Sequence, residues 1–98
     1  MDITVRNNTG AGTYDAVADG QVVGKVLYGR AGDRLILRST VVDQQHRNQG
    51  IATILVRGVL DDIAAQGLTF TNYCGFISKV IAENPAYAAL VDKAHPGR

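Results

Sequence analysis

Arg47-Asn48-Gln49-Gly50-Ile51-Ala52 lies where an extended segment gives way to an amphipathic helix. Before it, the run from Arg34 through Leu35, Ile36 and Leu37 to Val41 and Val42 is rich in β-branched and apolar residues, the composition of a strand. After it, Ile51, Ile54, Leu55, Val59 and Ile63 recur at helical spacing, with Thr53, Arg57 and Asp61 stacked four apart on the opposite side. The first amides of a helix have no carbonyl partner within it, and the aligned peptide dipoles add partial positive charge there. A strand-to-helix junction of this kind cradles a dianionic group such as a diphosphate without any lysine cluster. Gly50, lacking Cβ, lets the backbone approach such a group closely.

Working outward, Ile3-Thr4-Val5 is a short alternating strand that stops at the turn-forming cluster Asn7 to Gly12. Thr13 to Ala18 leads through Asp19-Gly20 into Gln21 to Tyr28, which reads as a hairpin because that dipeptide tolerates positive φ. Gly29 to Asp33 is expected to turn into the strand that ends at Val42, so the first half is an antiparallel meander. A helix is expected over Gly50 to Gln66, stopped by Gly67, then a strand over Leu68 to Asn72. Strand, helix and strand in succession imply a crossover and parallel pairing. Gly75 to Glu83 forms a second helix burying Phe76, Ile77, Val80 and Ile81, with Phe76 assigned to the core by its spacing from Val80. Asn84-Pro85 caps and starts a final short helix carrying Tyr87, Leu90 and Val91, and Lys93 to Arg98 is expected to fray. The fold class is therefore α+β, a mixed, mostly antiparallel sheet with two or three helices.

Ninety-eight residues leave room for one domain spanning the whole chain, near the small end of what buries an adequate core. Ten basic and nine acidic residues, net +1, are spread evenly, so no basic stripe tracks a nucleic-acid backbone. A single cysteine excludes an internal disulfide, and His46 and His95 have no metal-ligand spacing. No apolar run approaches the roughly 20 residues that span a bilayer, and Met1-Asp2-Ile3-Thr4 lacks the features of a secretory signal. These features predict a soluble, cytoplasmic protein, a monomer or weak dimer, without nucleic-acid or membrane partners.

Thr40 to Val42, Gln49-Gly50-Ile51, Cys74-Gly75-Phe76 and Asn84-Pro85-Ala86-Tyr87 occur in that order, and the spacing resembles a minimal GNAT-superfamily acetyltransferase. More narrowly it is similar to the small single-domain N-acetyltransferase-like family marked by a T-x-V strand end, a G-x-G-I loop, a C-x-F segment and an N/H-P-x-Y motif. The resemblance runs from Thr13 to Val91. It implies acetyl-CoA or coenzyme A as cofactor, held by Arg47, Asn48, Gln49, Gly50, Ile51 and Ala52, with pantetheine lying along Val41 and Val42 like an added strand. A strand amide near Val42 polarises the acyl carbonyl in that scheme, and Asn72 and Tyr73 flank the cleft. Two positions depart from the pattern. Many relatives carry a histidine, a suspected base, where this chain has Ser39, and Asn48 replaces the first glycine of G-x-G. An unassisted serine cannot act as that base, whereas asparagine also tolerates left-handed backbone.

Cys74 is the candidate catalytic residue, because it opens a helix, a position whose dipole favours thiolate, and matches the family motif. It would relay the acyl group or protonate the leaving thiolate; a small buried hydrophobe is its alternative role. Arg47 is a candidate phosphate ligand, whereas His46 is assigned as an exposed polar loop residue. The acceptor side lacks the helices that larger relatives insert between the first two strands, since Asn7 to Gly12 is a bare turn. The expected activity is acetyl-CoA-dependent N-acetylation of a small-molecule or protein amine. The alternatives are a coenzyme A-binding or protein-interaction module without turnover, and a structural domain with no nucleotide ligand.

Overall fold

The computed structural model describes residues 2–47 and 49–97. Five strands lie side by side in chain order: β1 (Thr4–Asn8), β2 (Thr13–Ala18), β3 (Gln21–Ala31), β4 (Arg34–Val42) and β5 (Thr69–Asn72). The first four pair antiparallel, and β5 joins β4 in parallel through the crossover helix α1 (Ile51–Ala65). The mixed sheet expected from the strand-helix-strand order is therefore present. A second helix, α2 (Gly75–Glu83), and a 3-10 helix (Pro85–Leu90) follow β5.

Asp19 and Gly20, at φ 51° and 77°, make the two-residue turn between β2 and β3. The turn expected over Gly29 to Asp33 is shorter than that span. Strand β3 continues to Ala31, which pairs with Arg34 across a two-residue turn of Gly32 and Asp33. Cross-strand pairing with β4 explains the extension, because every added residue satisfies backbone groups that a loop would leave to water.

Tyr14, Ala16, Val26, Leu35 and Leu37 are buried on one face of the sheet, against Leu55, Val56, Val59, Leu60 and Ile63 of α1. Each valine, leucine or isoleucine among them, fully buried, contributes about 1.5–3 kcal/mol of transfer free energy. The sequence reading placed Ile54 on this stripe, yet it is 45% exposed, while Val56 and Leu60 are fully buried. The buried arc is rotated toward the side that meets the sheet, and an apolar count along the helix does not resolve that rotation. Helix α2 lies on the same face: Asn72, in register with Leu37, donates from Nδ2 to Ser78 Oγ at 2.9 Å.

Two further expectations are corrected at the C-terminal end. The side chain of Asn84 does not cap the final helix; its Nδ2 donates back to the Val80 carbonyl at 3.0 Å and closes α2 instead. Nor do the residues from Asp92 to Gly97 fray, while Arg98 lies outside the described residues. The Asp92 amide donates to Phe70 O at 2.8 Å, the Asn72 amide donates to Pro96 O at 3.2 Å, and bridges join Phe70 to Val91 and Asn72 to Gly97 in parallel sense. The outer edge of β5 would otherwise present unpaired backbone groups, and this segment satisfies them.

Candidate cofactor site

The site follows from where β4 loses its second neighbour. Leu27 pairs with Ser39 and Tyr28 with Leu37, so Arg38 is the extra residue of a β-bulge in β4. On the other side β5 pairs only with Arg34 through Leu37, and the last bond is the Tyr73 amide to Leu37 O at 2.9 Å. Past the bulge, β4 runs on to Val42 with that edge open. The Asp43 amide bonds Val23 O at 2.9 Å, so by strand alternation Ser39 and Val41 direct their backbone groups toward β3. Thr40 and Val42 direct theirs into the open slot.

A cavity of about 300 Å³ occupies the end of this slot, lined by Val42, His46, Arg47, Gly50, Ile51, Ala52, Thr53 and Phe76. Its floor is the first turn of α1. Gly50 is the N-cap in left-handed conformation, φ 74°, and the earliest intrahelical bond described is Ile54 N–H to Gly50 O at 3.1 Å. Among the described residues no side chain caps the helix, and its first turn contains no acidic residue. Glycine at the cap costs only about a few tenths of a kcal/mol relative to Ser, Asp or Asn and leaves the first amides without a side-chain acceptor from that position. The result is a set of amide donors at the positive end of a 15-residue dipole, beside a cavity.

Of the residues singled out from the sequence, Val42, Arg47, Gly50, Ile51 and Ala52 meet at this cavity. Gln49 is exposed and does not line it, Val41 is 50% exposed with its backbone committed to β3, and Asn48 lies outside the described residues. Arg47 is exposed, with Nε 3.5 Å from Val42 O. Three lining residues were assigned elsewhere or not at all. Thr53 belongs to the first turn of α1, while Phe76 both packs against the core and forms a cavity wall. His46 is half-buried, not an exposed loop residue, because a 3-10 turn over Gln44–His46 carries it back against the slot. That turn follows β4 directly and leaves no periodic signal in the sequence.

Cys74 stands at the N-cap of α2, half-buried, with Sγ 3.4 Å from Thr40 Oγ1 across the slot. Asn72 grips its peptide from both sides: Cys74 N–H donates to Asn72 Oδ1 at 2.9 Å, and Asn72 Nδ2 donates to Cys74 O at 3.1 Å. Tyr73, between them, is 50% exposed. Ser39 lies opposite Leu27, and its side chain therefore projects from the sheet face away from Thr40 and Cys74. Among the described residues, no group of three or more His, Cys, Asp or Glu side chains is placed to hold a metal, and no helix is long and apolar enough to cross a membrane.

The sequence profile of the GCN5-related N-acetyl-transferase family matches residues 13–90, and the chain belongs to that family. Solved structures share the fold. A GCN5-like putative N-acetyltransferase from Staphylococcus aureus superposes with TM-score 0.65 at 12% identity, covering 91% of this chain and 87% of that one. The ribosomal-protein-S18-alanine N-acetyltransferase from Escherichia coli superposes at 0.58 with 17% identity, covering 76% of this chain and 49% of that one. A GNAT-family acetyltransferase from Staphylococcus aureus Mu50 superposes at 0.52 with 24% identity, covering 82% of this chain and 52% of that one. The chain thus spans about half the length of the latter two. No curated protein matches it.

Proposed function

We propose that this domain binds acetyl-CoA in the slot beside β4 and transfers the acetyl group to an amine. The observation that carries the reading is the uncapped first turn of α1 opening onto the cavity. The residues present fit the cofactor: free amides and Arg47 suit a diphosphate, and the open edge at Thr40 and Val42 suits an amide-bearing chain that pairs like a strand. Bound there, acetyl-CoA supplies an acyl carbon activated by its thioester.

The protein's own groups then have three tasks. The amides of Gly50 to Ala52 hold negative charge at a helix N-terminus, and Phe76 shields one side of the cavity from water. An open-edge amide of Thr40 or Val42 donates to the acyl oxygen as negative charge develops on it. Cys74, held by Asn72 and paired with Thr40 Oγ1, gives its proton to the sulfur that departs as the carbon-sulfur bond breaks and the carbon-nitrogen bond forms. The acceptor arrives unprotonated and releases its surplus proton to water, from which the Cys74 thiolate is reprotonated, because Ser39 projects from the other face and supplies no base. One structural neighbour is named as acting on the alanine of a ribosomal protein, and a protein amine suits the bare approach left by the short β1-β2 turn.

Coenzyme A at a hundredfold its Kd is expected to raise the melting temperature by about 10 °C or more, since such saturation adds about 2.7 kcal/mol to a domain of this size. No binding by calorimetry at millimolar ligand overturns the reading. Transfer of labelled acetyl to peptide amines, lost in Cys74→Ala, tests the catalytic half. Binding without transfer to any amine supports instead a coenzyme A-binding module, the reading that Ser39 favours.

A further inference from the structure

The helices cover one face of the sheet and leave the other open. Tyr14, Val26, Leu35 and Leu37 point toward the helices, so their neighbours along each strand point away from them. The registers put Val17 opposite Val22, Lys25 opposite Val41, Leu27 opposite Ser39 and Gly29 opposite Ile36 on that second face. Val17, Val22, Leu27, Ile36 and Val41 belong neither to the core nor to the partly buried side chains packed against it. Val22 and Val41 are 38% and 50% exposed. Apolar side chains scattered singly over a surface are ordinary, whereas a group gathered on three adjacent strands is what a sheet normally buries beneath another layer.

The charges among these side chains define the chemistry of that layer. Arg6, Lys25 and Arg38 stand on the same face, on β1, β3 and β4, and all three are exposed. Asp15, the carboxylate among the strand positions of this face, is 4% exposed and already engaged: it accepts from Thr13 Oγ1 at 2.8 Å and lies 3.7 Å from Arg6 Nη2. Arg34, beside β5, is matched by Asp92 at 3.9 Å. Lys25 and Arg38 have no carboxylate at ion-pair distance among the described residues, and Arg38 Nη2 rests over Gly29, where a Cβ would come within 2.8 Å of it. An occupant that complements the face therefore brings carboxylates as well as apolar surface. A second copy of this chain would bring the same unmatched cations against themselves. Single-stranded nucleic acid stacks its bases on aromatic rings, and Tyr14, Tyr28 and Phe70 all belong to the helix side of the sheet.

We propose that this open sheet face docks an amphipathic helix of another protein, its apolar stripe covering Val22, Leu27 and Val41 and its flanking carboxylates meeting Lys25 and Arg38. A helix is the layer that the sheet accepts on its other side, and a stripe bordered by acidic residues matches apolar side chains bordered by cations. Apolar burial holds such a complex, while the charged rim sets orientation and encounter rate. The face lies across the sheet from α1 and its cavity, so docking is independent of whether acetyl-CoA binds there.

Three helical peptides of about 20 residues, long enough to hold a helix in water, are titrated calorimetrically into the full chain while amide shifts are followed by NMR. One carries a leucine stripe flanked by glutamates, the second has lysines for the glutamates, and the third has alanines for the leucines. The expected result is that the leucine-glutamate peptide alone binds and shifts the amides of Val22, Lys25, Leu27 and Arg38. The double variant Lys25→Glu, Arg38→Glu is expected to weaken that peptide by about tenfold or more and to gain the lysine peptide, because attraction becomes repulsion. Val22→Ser, which keeps every charge, is expected to weaken it by about threefold or more through lost apolar burial. No binding at millimolar peptide, equal binding of the lysine or alanine peptide, or shifts that map to α1 overturns the proposal. A concentration-dependent dimer in sedimentation that Val22→Ser abolishes also overturns it, since a second copy then fills the face. Tighter binding of a single-stranded oligonucleotide or of phosphatidylserine vesicles than of the peptide does the same.

Discussion

Asn72 shows how one buried side chain places the candidate catalytic group. At 3% exposure it spends both amide atoms on the Cys74 peptide and a further bond on Ser78, so the first turn of α2 is tied to the end of β5. Asn72→Ala strips a buried amide and carbonyl of their partner, and is expected to cost about 1–3 kcal/mol in urea unfolding. If Cys74 acts in transfer, the same change lowers kcat more than it weakens coenzyme A binding. A loss under about 0.5 kcal/mol would show that water replaces the clamp. The sequence places Asn72 beside the cleft, but its grip on the following peptide depends on the strand ending at that residue. His46 is the contrasting case, because the 3-10 turn that buries it has no periodicity to read.

Helix α1 and strand β1 are joined at Gly58. A glycine inside a helix costs about 1 kcal/mol relative to alanine, and the reason for tolerating it is steric. A Cβ there would lie 2.7 Å from Val5 Cγ2 and 2.9 Å from Val5 Cβ. Gly58→Ala therefore overpacks the contact and is expected to destabilise by about 1–3 kcal/mol, against its helix propensity. Val5→Ala in the same chain is expected to recover part of that loss, whereas additive losses in thermal unfolding would contradict the contact. An isolated glycine in a helical pattern is visible in a sequence; which strand presses on it is not.

The whole molecule is a single sheet with both helices on one face, and Tyr14 ties the layers together. Its ring is 1% exposed and its hydroxyl donates to Asp62 Oδ2 on α1 at 2.6 Å. Burial, then the hydrogen bond and the charge of Asp62, raise its pKa well above the ordinary tyrosine value. In the unfolded chain this hydroxyl ionises near pH 10, by about which point the folded protein still holds its proton. The folded state binds more protons above that pH, so the contribution is complete below about pH 10 and is lost as pH rises beyond it. Chemical denaturation between about pH 8 and 11 is expected to show that decline, and Tyr14→Phe to flatten it. Equal slopes in both proteins would remove Tyr14 as the cause.

Hydrophobic period, turn dipeptides and the loop from Arg47 to Ala52 suffice for the element order, the mixed sheet and the helix terminus that borders the cavity, because each is set by neighbours within a few residues. The open edge of β4 is different. It depends on a bulge at Arg38, on β5 stopping at Asn72 and on a returning C-terminal segment that occupies the far edge. The same holds for His46 and Phe76 as cavity walls and for the exposure of Ile54. These properties arise where chain segments distant in sequence compete for the same space and the same hydrogen-bonding groups, and only the packed structure decides that competition.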